Sequence, residues 1–127
     1  MNTKLKSWAV PLFFFCILAL GLMIFGDYGI SWDEKVERID GAVTLSYVEK
    51  KIGIEFPGLP EMLQAQNYHN SLELHSYKDR YYPVGFNYPA ELIIRLFGLV
   101  DDRDAYLLRH LMTFLVAYLG VIALFYL

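Results

Sequence analysis

Two long apolar segments constrain the fold of this chain more than any other feature. Residues 8–25 form an uninterrupted apolar run of 18 residues, and residues 111–127 form a second run of 17 in which Thr113 is the only ordinary polar residue. At about 1.5 Å per residue the first run reaches roughly 27 Å, close to the hydrocarbon thickness of a bilayer. The sequence therefore predicts an all-α membrane protein with two transmembrane helices joined by a long loop.

A cleaved signal peptide is the competing interpretation of the first run. Lys4 and Lys6 form a basic start, and the small residues Ala19 and Gly21 resemble a cleavage site. The apolar run nevertheless continues through residues 22–25, where a signal peptide turns polar. This continuation favours an uncleaved helix, and a secreted domain with a C-terminal anchor stays the alternative.

The charges predict the orientation of the two helices. Lys4 and Lys6 place the N-terminus in the cytoplasm, by the excess of basic residues in cytoplasmic segments. The loop carries eight Lys and Arg against fourteen Asp and Glu, a net charge of −6. We expect residues 1–7 to be cytoplasmic, 8–25 and 107–127 to span the membrane, and 26–106 to be periplasmic or extracellular. A bacterial plasma membrane is favoured, and no basic stripe suggests a nucleic-acid partner.

The second run reaches Leu127 without a polar or basic flank after it. A finished transmembrane helix usually ends in aromatic or basic anchors followed by a loop. We therefore expect this helix to be truncated within a longer, multi-pass protein. The alternative is a small two-span protein that stops at Leu127 and is not an enzyme.

Two shorter amphipathic helices are predicted in the loop, near residues 32–50 and 89–100. Ser31 and Glu34 have the spacing of a capping box. Apolar residues then recur at helical period, and these are Trp32, Val36, Ile39, Val43 and Tyr47. A second face of the helix is polar and carries Asp33, Glu37, Asp40 and Thr44. We expect this acidic face to turn to water or to a site. Glu91 and Arg95 form an i,i+4 pair on the polar edge of the second helix, which is expected to be interfacial or re-entrant.

Asp33 and Glu34 are the strongest candidates for chemistry. A carboxylate at the start of a helix near the membrane can act as a general base toward an acceptor hydroxyl. The structural alternative is that both residues only favour the helix N-terminus, where acidic side chains are stabilising.

Other polar residues have weaker patterns. His69 and His75 lie six residues apart and match no compact metal motif. Arg80, Arg109 and His110 could contact phosphate groups, although Arg109 and His110 could equally extend to lipid headgroups. The chain has no phosphate-binding Gly-rich loop, no CxxC pair and no serine nucleophile motif, and Cys16 is its single cysteine. We expect neither a metal nor a cofactor.

Three segments resemble the N-terminal region of GT-C class membrane glycosyltransferases, in particular the group of protein-O-mannosyltransferases and lipid A aminoarabinose transferases. They are Tyr-Gly-Ile-Ser-Trp-Asp-Glu (28–34) after the first apolar run, Tyr-Pro-Val-Gly-Phe-Asn-Tyr-Pro-Ala-Glu (82–91), and Arg-His-Leu (109–111) leading into the second run. Their order and spacing are similar to those of the family along nearly the whole chain, while each motif is short.

The resemblance implies transfer of a sugar, with inversion, from a polyprenyl-phosphate donor to a hydroxyl-bearing acceptor. Asp33 would be the base and Glu34 would position it or its neighbours, while Arg80 or Arg109 would neutralise the leaving phosphate. The family's enzymes have many more spans and usually a further domain, so this chain alone is expected to be inactive. The alternative function is a small two-span protein whose loop binds a partner.

Overall fold

The described part of the protein is helical. A computed structural model describes residues 3–54, 56, 74–99 and 101–127, and no strand occurs in these ranges. The elements, in chain order, are α1 (Thr3–Ile24), a 3₁₀ turn (Phe25–Asp27), α2 (Glu34–Ile52), α3 (Asn87–Leu96) and α4 (Asp102–Tyr126). The all-helical prediction is confirmed for these residues.

The helices belong to two compact units. The first, here called the apolar unit, comprises Met1–Gly29 and Arg109–Leu127, and the second, here called the loop unit, comprises Ile30–Leu108. Helix α4 begins in the loop unit and continues into the apolar unit.

Two helices of the described chain are long and apolar enough to cross a membrane. They are Trp8–Asp27, with 20 residues, and Asp102–Tyr126, with 25 residues. Only 11% and 6% of their apolar windows are buried, which is unlike the core helix of a soluble domain. The first lies near the N-terminus, where a signal sequence would have the same properties.

Aromatic contacts connect α1 with α4 inside the apolar unit. The Phe14 ring meets the rings of Tyr118 and Phe125 edge to face, with centroids 6.4 and 5.4 Å away. The Tyr118 hydroxyl also donates to the Phe14 carbonyl oxygen at 3.2 Å. Gly21 leaves the space that the Phe114 ring occupies, since a Cβ at Gly21 would overlap that ring. Gly21, later in α1, faces the earlier α4 residue Phe114, whereas Phe14 contacts the later residues Tyr118 and Phe125. The two segments are therefore antiparallel.

Helix α2 begins later than the capping box predicts. Asp33 is its N-cap, and no side-chain hydrogen bond caps the helix. Ser31 contributes its backbone carbonyl, which accepts from the Glu34 N–H at 3.3 Å. The predicted Ser31 side-chain cap is therefore wrong. The helix ends where Gly53 adopts a left-handed conformation with φ of 69°, at the glycine that the sequence marks as a helix break.

The buried side of α2 differs from the predicted apolar face. Trp32 lies before the helix and is 95% exposed, and Val36 is also exposed. Ile39 and Val43 are buried, but so is Asp40 of the predicted polar face, while Asp33 and Glu37 of that face are exposed. Three further charged residues of α2 are also buried, namely Glu34, Arg38 and Glu49. Buried charges are compatible with folding only where they find partners, so α2 is held by polar pairs as well as by apolar packing.

Helix α3 is shorter than the predicted 89–100 segment. It starts at Asn87, two residues before Pro89, which the first turn of a helix tolerates. It stops at Leu96 because Gly98 is left-handed and the Leu99 N–H donates back to the Ile94 carbonyl at 3.0 Å. Val100 lies outside the described residues. In α3 the polar pair of Glu91 and Arg95 is buried, while Leu96 and Phe97 are exposed. The orientation of the polar edge is therefore the reverse of the expected one.

Gly41 permits the close approach of α2 to α3. A Cβ at this position would lie 2.5 Å from the Asn87 carbonyl oxygen and 2.9 Å from its carbon, and the backbone cannot yield as a flexible side chain would. We expect Gly41→Ala to destabilise the loop unit by about 1–3 kcal/mol through overpacking. Thermal unfolding of the purified chain in detergent measures this change.

Gly120→Ala is the matched control, because a Cβ at this glycine of α4 meets nothing within 4 Å. It should leave the unfolding temperature unchanged or raise it, since alanine favours helix over glycine. Equal unfolding temperatures for Gly41→Ala and wild type would contradict the close packing of α2 on α3.

Candidate functional site

The two candidate catalytic carboxylates occupy different environments at the start of α2. Asp33 is exposed, and its backbone carbonyl accepts from the Glu37 N–H at 2.9 Å. Glu34, the first residue of the helix, is only 5% exposed. The Asp33 carboxylate is therefore accessible to solvent, whereas Glu34 is placed to act on its surroundings within the protein.

Arg38 lies on the buried side of α2, one helical turn after Glu34. Its Nη1 donates to Asp102 Oδ1 at 2.7 Å, and its guanidinium carbon lies 5.1 Å from the centre of the Tyr106 ring. Asp102 and Tyr106 are one turn apart at the start of α4. Together these contacts, here called the Arg38 bridge, connect the first half of α2 to the first turns of α4.

A second polar cluster, here called the ion cluster, lies between α2 and α3 and consists of Glu49, Glu91 and Arg95. Arg95 donates from Nε to Glu91 Oε1 at 3.2 Å and from Nη1 to both carboxylate oxygens of Glu49 at 3.2 and 3.1 Å. All three residues are buried. The predicted i,i+4 pair of Glu91 and Arg95 is confirmed, but it faces protein and shares its cation with Glu49.

The ion cluster also holds the chain that leaves α2. Glu49 Oε1 accepts from the backbone N–H of Phe56 at 2.8 Å, and its backbone carbonyl accepts from Gly53 at 2.9 Å. One residue thus fixes both the helix end and the following segment. Gly53, Pro57, Gly58 and Pro60 predict a turn region after α2. Gly53 ends the helix, and residues 55 and 57–60 lie outside the described part of the chain.

Asp40 is joined to the segment that precedes α3. The Tyr77 hydroxyl donates to Asp40 Oδ1 at 2.6 Å, while Leu74 and Tyr77 pack on the apolar cluster that contains Ile39 and Val43. Burial raises the pKa of the Asp40 carboxyl, the Tyr77 hydrogen bond lowers it, and Asp79 nearby raises it, with a net upward shift. Asp40 was predicted to face water or a site, and it instead anchors Tyr77.

This upward shift predicts how Asp40→Asn changes stability with pH. Because the folded-state pKa exceeds the unfolded one, the stability that protonation of Asp40 contributes is fully present below the unfolded pKa. It is lost as the pH rises through the folded pKa. Asparagine keeps an oxygen that can accept from Tyr77 and does not ionise. The stability of Asp40→Asn minus that of wild type should therefore be larger at pH 7 than at pH 4.

Unfolding temperatures of both proteins at the two pH values measure this difference. Asp104→Asn, at an exposed carboxyl of α4, serves as the control and should show no comparable change. If the unfolding temperatures of wild type and Asp40→Asn differ by the same amount at pH 4 and at pH 7, the raised pKa of Asp40 is ruled out.

The candidate phosphate ligand Arg80 is exposed beside two tyrosines. Its Nη1 donates to the Tyr77 carbonyl oxygen at 3.2 Å and its Nη2 donates to the Tyr81 hydroxyl at 3.0 Å. The guanidinium carbon also lies 4.5 Å from the centre of the Tyr81 ring. Arg80 is therefore oriented by its neighbours and still accessible to an anion.

Arg109 and His110 belong to the apolar unit, on α4. Arg109 is 2% exposed, and its backbone carbonyl accepts from the Thr113 hydroxyl at 2.9 Å. The His110 ring meets the Tyr28 ring edge to face at 6.0 Å. The expectation that Arg109 extends to lipid headgroups is not met by this buried position. These two residues lie in one unit and Asp33, Glu34 and Arg80 in the other.

The remaining predicted positions carry less chemistry. His75 is exposed and meets the Tyr47 ring edge to face at 5.7 Å. His69 lies outside the described residues. Within the described ranges, no group of three or more His, Cys, Asp and Glu side chains is placed to hold a metal ion.

The apolar periodicity did not identify Arg38, Asp40 and Glu49 as buried polar residues. A second pattern indicates Arg38 and Glu49, since Glu34, Arg38, Ala42, Leu45 and Glu49 recur at helical period and form a stripe that also passes Gly41. Small residues on a helix mark the approach of a neighbour, and charged residues on the same stripe must then be paired. The apolar stripe was easier to recognise but is only partly buried.

No protein-family model, curated protein or solved structure matches this chain.

Proposed function

We propose that this chain is the N-terminal portion of an integral-membrane glycosyltransferase. The enzyme would move a sugar from a polyprenyl-phosphate donor to a hydroxyl-bearing acceptor, with the loop on the periplasmic or extracellular side of a bacterial plasma membrane. The observation that carries the proposal is the exposed Asp33 carboxylate at the first turn of an ordered helix, six residues after an apolar helix of membrane-spanning length. The resemblance of the motif at 28–34 to the GT-C class supports the same assignment.

In the proposed reaction the Asp33 carboxylate removes the proton from the acceptor hydroxyl. The acceptor oxygen then forms a bond to the anomeric carbon of the sugar, on the face opposite the phosphate. The bond between that carbon and the phosphate oxygen breaks, and the electron pair leaves with polyprenyl phosphate. One proton is transferred to Asp33, and the anomeric configuration inverts.

Arg80 or Arg109 is proposed to offset the charge that develops on the leaving phosphate. Arg80 has an accessible guanidinium oriented by the Tyr77 carbonyl and the Tyr81 hydroxyl. Arg109 is buried on α4. A guanidinium in a site from which water is partly excluded stabilises such a charge more than it would in water. Glu34 is proposed to position Asp33 or its neighbours.

A membrane location is part of the proposal and explains why such a site would be built on a loop next to a membrane helix. The polyprenyl tail of the donor stays in the bilayer, and only its sugar and phosphate reach the loop. Two helices and one loop cannot by themselves surround that donor, so catalysis is assigned to the longer native product and this chain alone is expected to be inactive.

The alternative function is a small two-span protein whose loop binds a protein partner. Exposed aromatic residues favour it, since Trp32 is 95% and Tyr81 82% exposed, and such side chains are enriched at interaction sites. In that case Asp33 would serve only the start of α2.

Two measurements on native membranes distinguish these functions. An antibody raised against residues 61–79 reports the size of the native product, and vesicles that contain this product are supplied with polyprenyl-phosphate mannose or polyprenyl-phosphate aminoarabinose. We expect a band several times larger than 14.7 kDa and release of free polyprenyl phosphate. A single stable band near 14.7 kDa without release from either donor would overturn the proposal in favour of the partner-binding protein.

A further inference from the structure

The Arg38 bridge connects the helix that presents Asp33 with the helix that continues into the apolar unit. The Arg38 side chain is 1% exposed, although its ion-pair partner Asp102 is 51% exposed. Its two contacts, with Asp102 and Tyr106, fall on successive turns of α4. A guanidinium that contacts two successive turns fixes both the distance and the rotation of one helix against the other.

The bridge is not needed to hold α2 against α3. That pairing has its own contacts at Gly41 and Ala42 and in the ion cluster, whose Glu49 lies eleven residues beyond Arg38. Arg38 in turn has a buried Nε with no hydrogen-bond partner in the described part of the chain. A buried donor without a partner costs stability, so an apolar residue would serve mere packing better at this position.

We propose that Arg38 is a positioning residue for the transfer reaction. It holds the first turns of α2, and with them Asp33, in a fixed relation to the first turns of α4. The inference rests on the proposed function, because it assigns Arg38 a role in the geometry of that same site. Misplacement of a catalytic group by about 1 Å can cost about 100-fold in rate, which is why a rigid connection near Asp33 matters.

The kinetic test uses the native full-length product in vesicles, with polyprenyl-phosphate mannose or aminoarabinose as the donor. We expect Arg38→Gln to lower kcat by about 10- to 100-fold with an unchanged KM for the donor, because a loss confined to the transition state leaves ground-state binding intact. Asp102→Ala, which removes the partner at the exposed side, should lower kcat in the same direction. Arg38→Lys, which keeps the charge but not the planar group, should restore part of the rate.

Glu49→Gln is the control for a merely structural role. It weakens the buried ion cluster at the far end of α2 and leaves the Arg38 bridge in place, so kcat should stay at the wild-type value at temperatures where the protein is folded. A fall in kcat that is equal for Glu49→Gln and Arg38→Gln would overturn the positioning role.

A distance measurement tests the bridge without depending on activity. Spin labels are attached at Lys35→Cys and Arg103→Cys, two exposed positions on α2 and α4, in a Cys16→Ser background. The distance distribution should be narrow when both Arg38 and Asp102 are present, and broad in Arg38→Gln and Asp102→Ala.

The outcomes separate this inference from the proposed function. A narrow distribution in all variants, or full kcat in Arg38→Gln when wild type transfers, overturns the inference and leaves the proposed function intact. A wild type that transfers from neither donor overturns the proposed function, and the positioning role with it, even where the distribution broadens.

Discussion

Replacement of Asp33 by asparagine is expected to lower sugar transfer by the native full-length protein by about 10²- to 10⁴-fold, the usual contribution of a general base. An amide cannot accept the acceptor's proton at neutral pH. Asparagine is as good an N-cap residue as aspartate, and Asp33 makes no side-chain cap hydrogen bond in the structure. Helix α2 should therefore form normally, and the loss should appear in transfer rather than in protein abundance.

The assay measures release of polyprenyl phosphate in vesicles, with immunoblotting to normalise the amount of protein. Asp27→Asn is the matched control, because Asp27 is also exposed and lies six residues earlier at the end of the first apolar helix. It should retain the wild-type rate. Transfer by Asp33→Asn at the rate of Asp27→Asn would show that another group takes the proton.

Replacement of Arg95 by leucine is expected to destabilise the loop unit by about 3–5 kcal/mol, because it leaves two buried carboxylates without their shared cation. Glu91 and Glu49 are both buried, and Arg95 donates to each of them. Folded domains are stable by only about 5–15 kcal/mol, so a loss of this size removes much of the stability of a small unit. Thermal or denaturant unfolding of the purified chain in detergent measures it.

Two variants test the cause of this loss. Arg103→Leu removes an exposed arginine on α4 and should change stability little. Arg95→Met combined with Glu49→Gln and Glu91→Met removes the charges together and should recover much of the stability, since a buried ion cluster can be replaced by neutral side chains of similar volume. An Arg95→Leu protein as stable as Arg103→Leu would mean that the ion cluster does not hold α2 against α3.

The sequence was sufficient to predict the two long apolar helices and the end of α2. The two apolar runs are long enough that helix is the expected structure for each of them, and α1 and α4 cover nearly all of both. Gly53 ends α2 through a left-handed conformation that glycine adopts without strain, whereas α3 ends before the left-handed Gly98, inside the predicted 89–100 segment. An aspartate just before a helix is a favoured N-cap residue, and the Asp101 carboxylate accepts from the Arg103 N–H at 2.7 Å. The features that were predicted depend on local chemistry, which a single sequence displays.

The orientation of α2 and α3 could not be predicted in the same way. Periodicity identifies an apolar stripe, but the buried side of α2 is decided by partners 37 to 64 residues away, such as Tyr77 for Asp40, Arg95 for Glu49 and Asp102 for Arg38. A charged side chain gives no local indication that its counterion will come from a distant helix. The different exposure of Asp33 and Glu34 could not be predicted for the same reason, since the two residues are adjacent in sequence and only the fold buries one of them.

We propose that residues 26–106 lie outside the cytoplasm, between two helices that cross the membrane. Labelling of single cysteines with a membrane-impermeant maleimide tests it most directly, in spheroplasts that express the protein with Cys16→Ser. Lys78→Cys, at an exposed position of the loop, should be labelled in intact spheroplasts, whereas Lys4→Cys should be labelled only after the membrane is opened. Labelling of Lys78→Cys only after opening, or recovery of the chain in the soluble fraction, would contradict the topology on which both the enzyme and the partner-binding function depend.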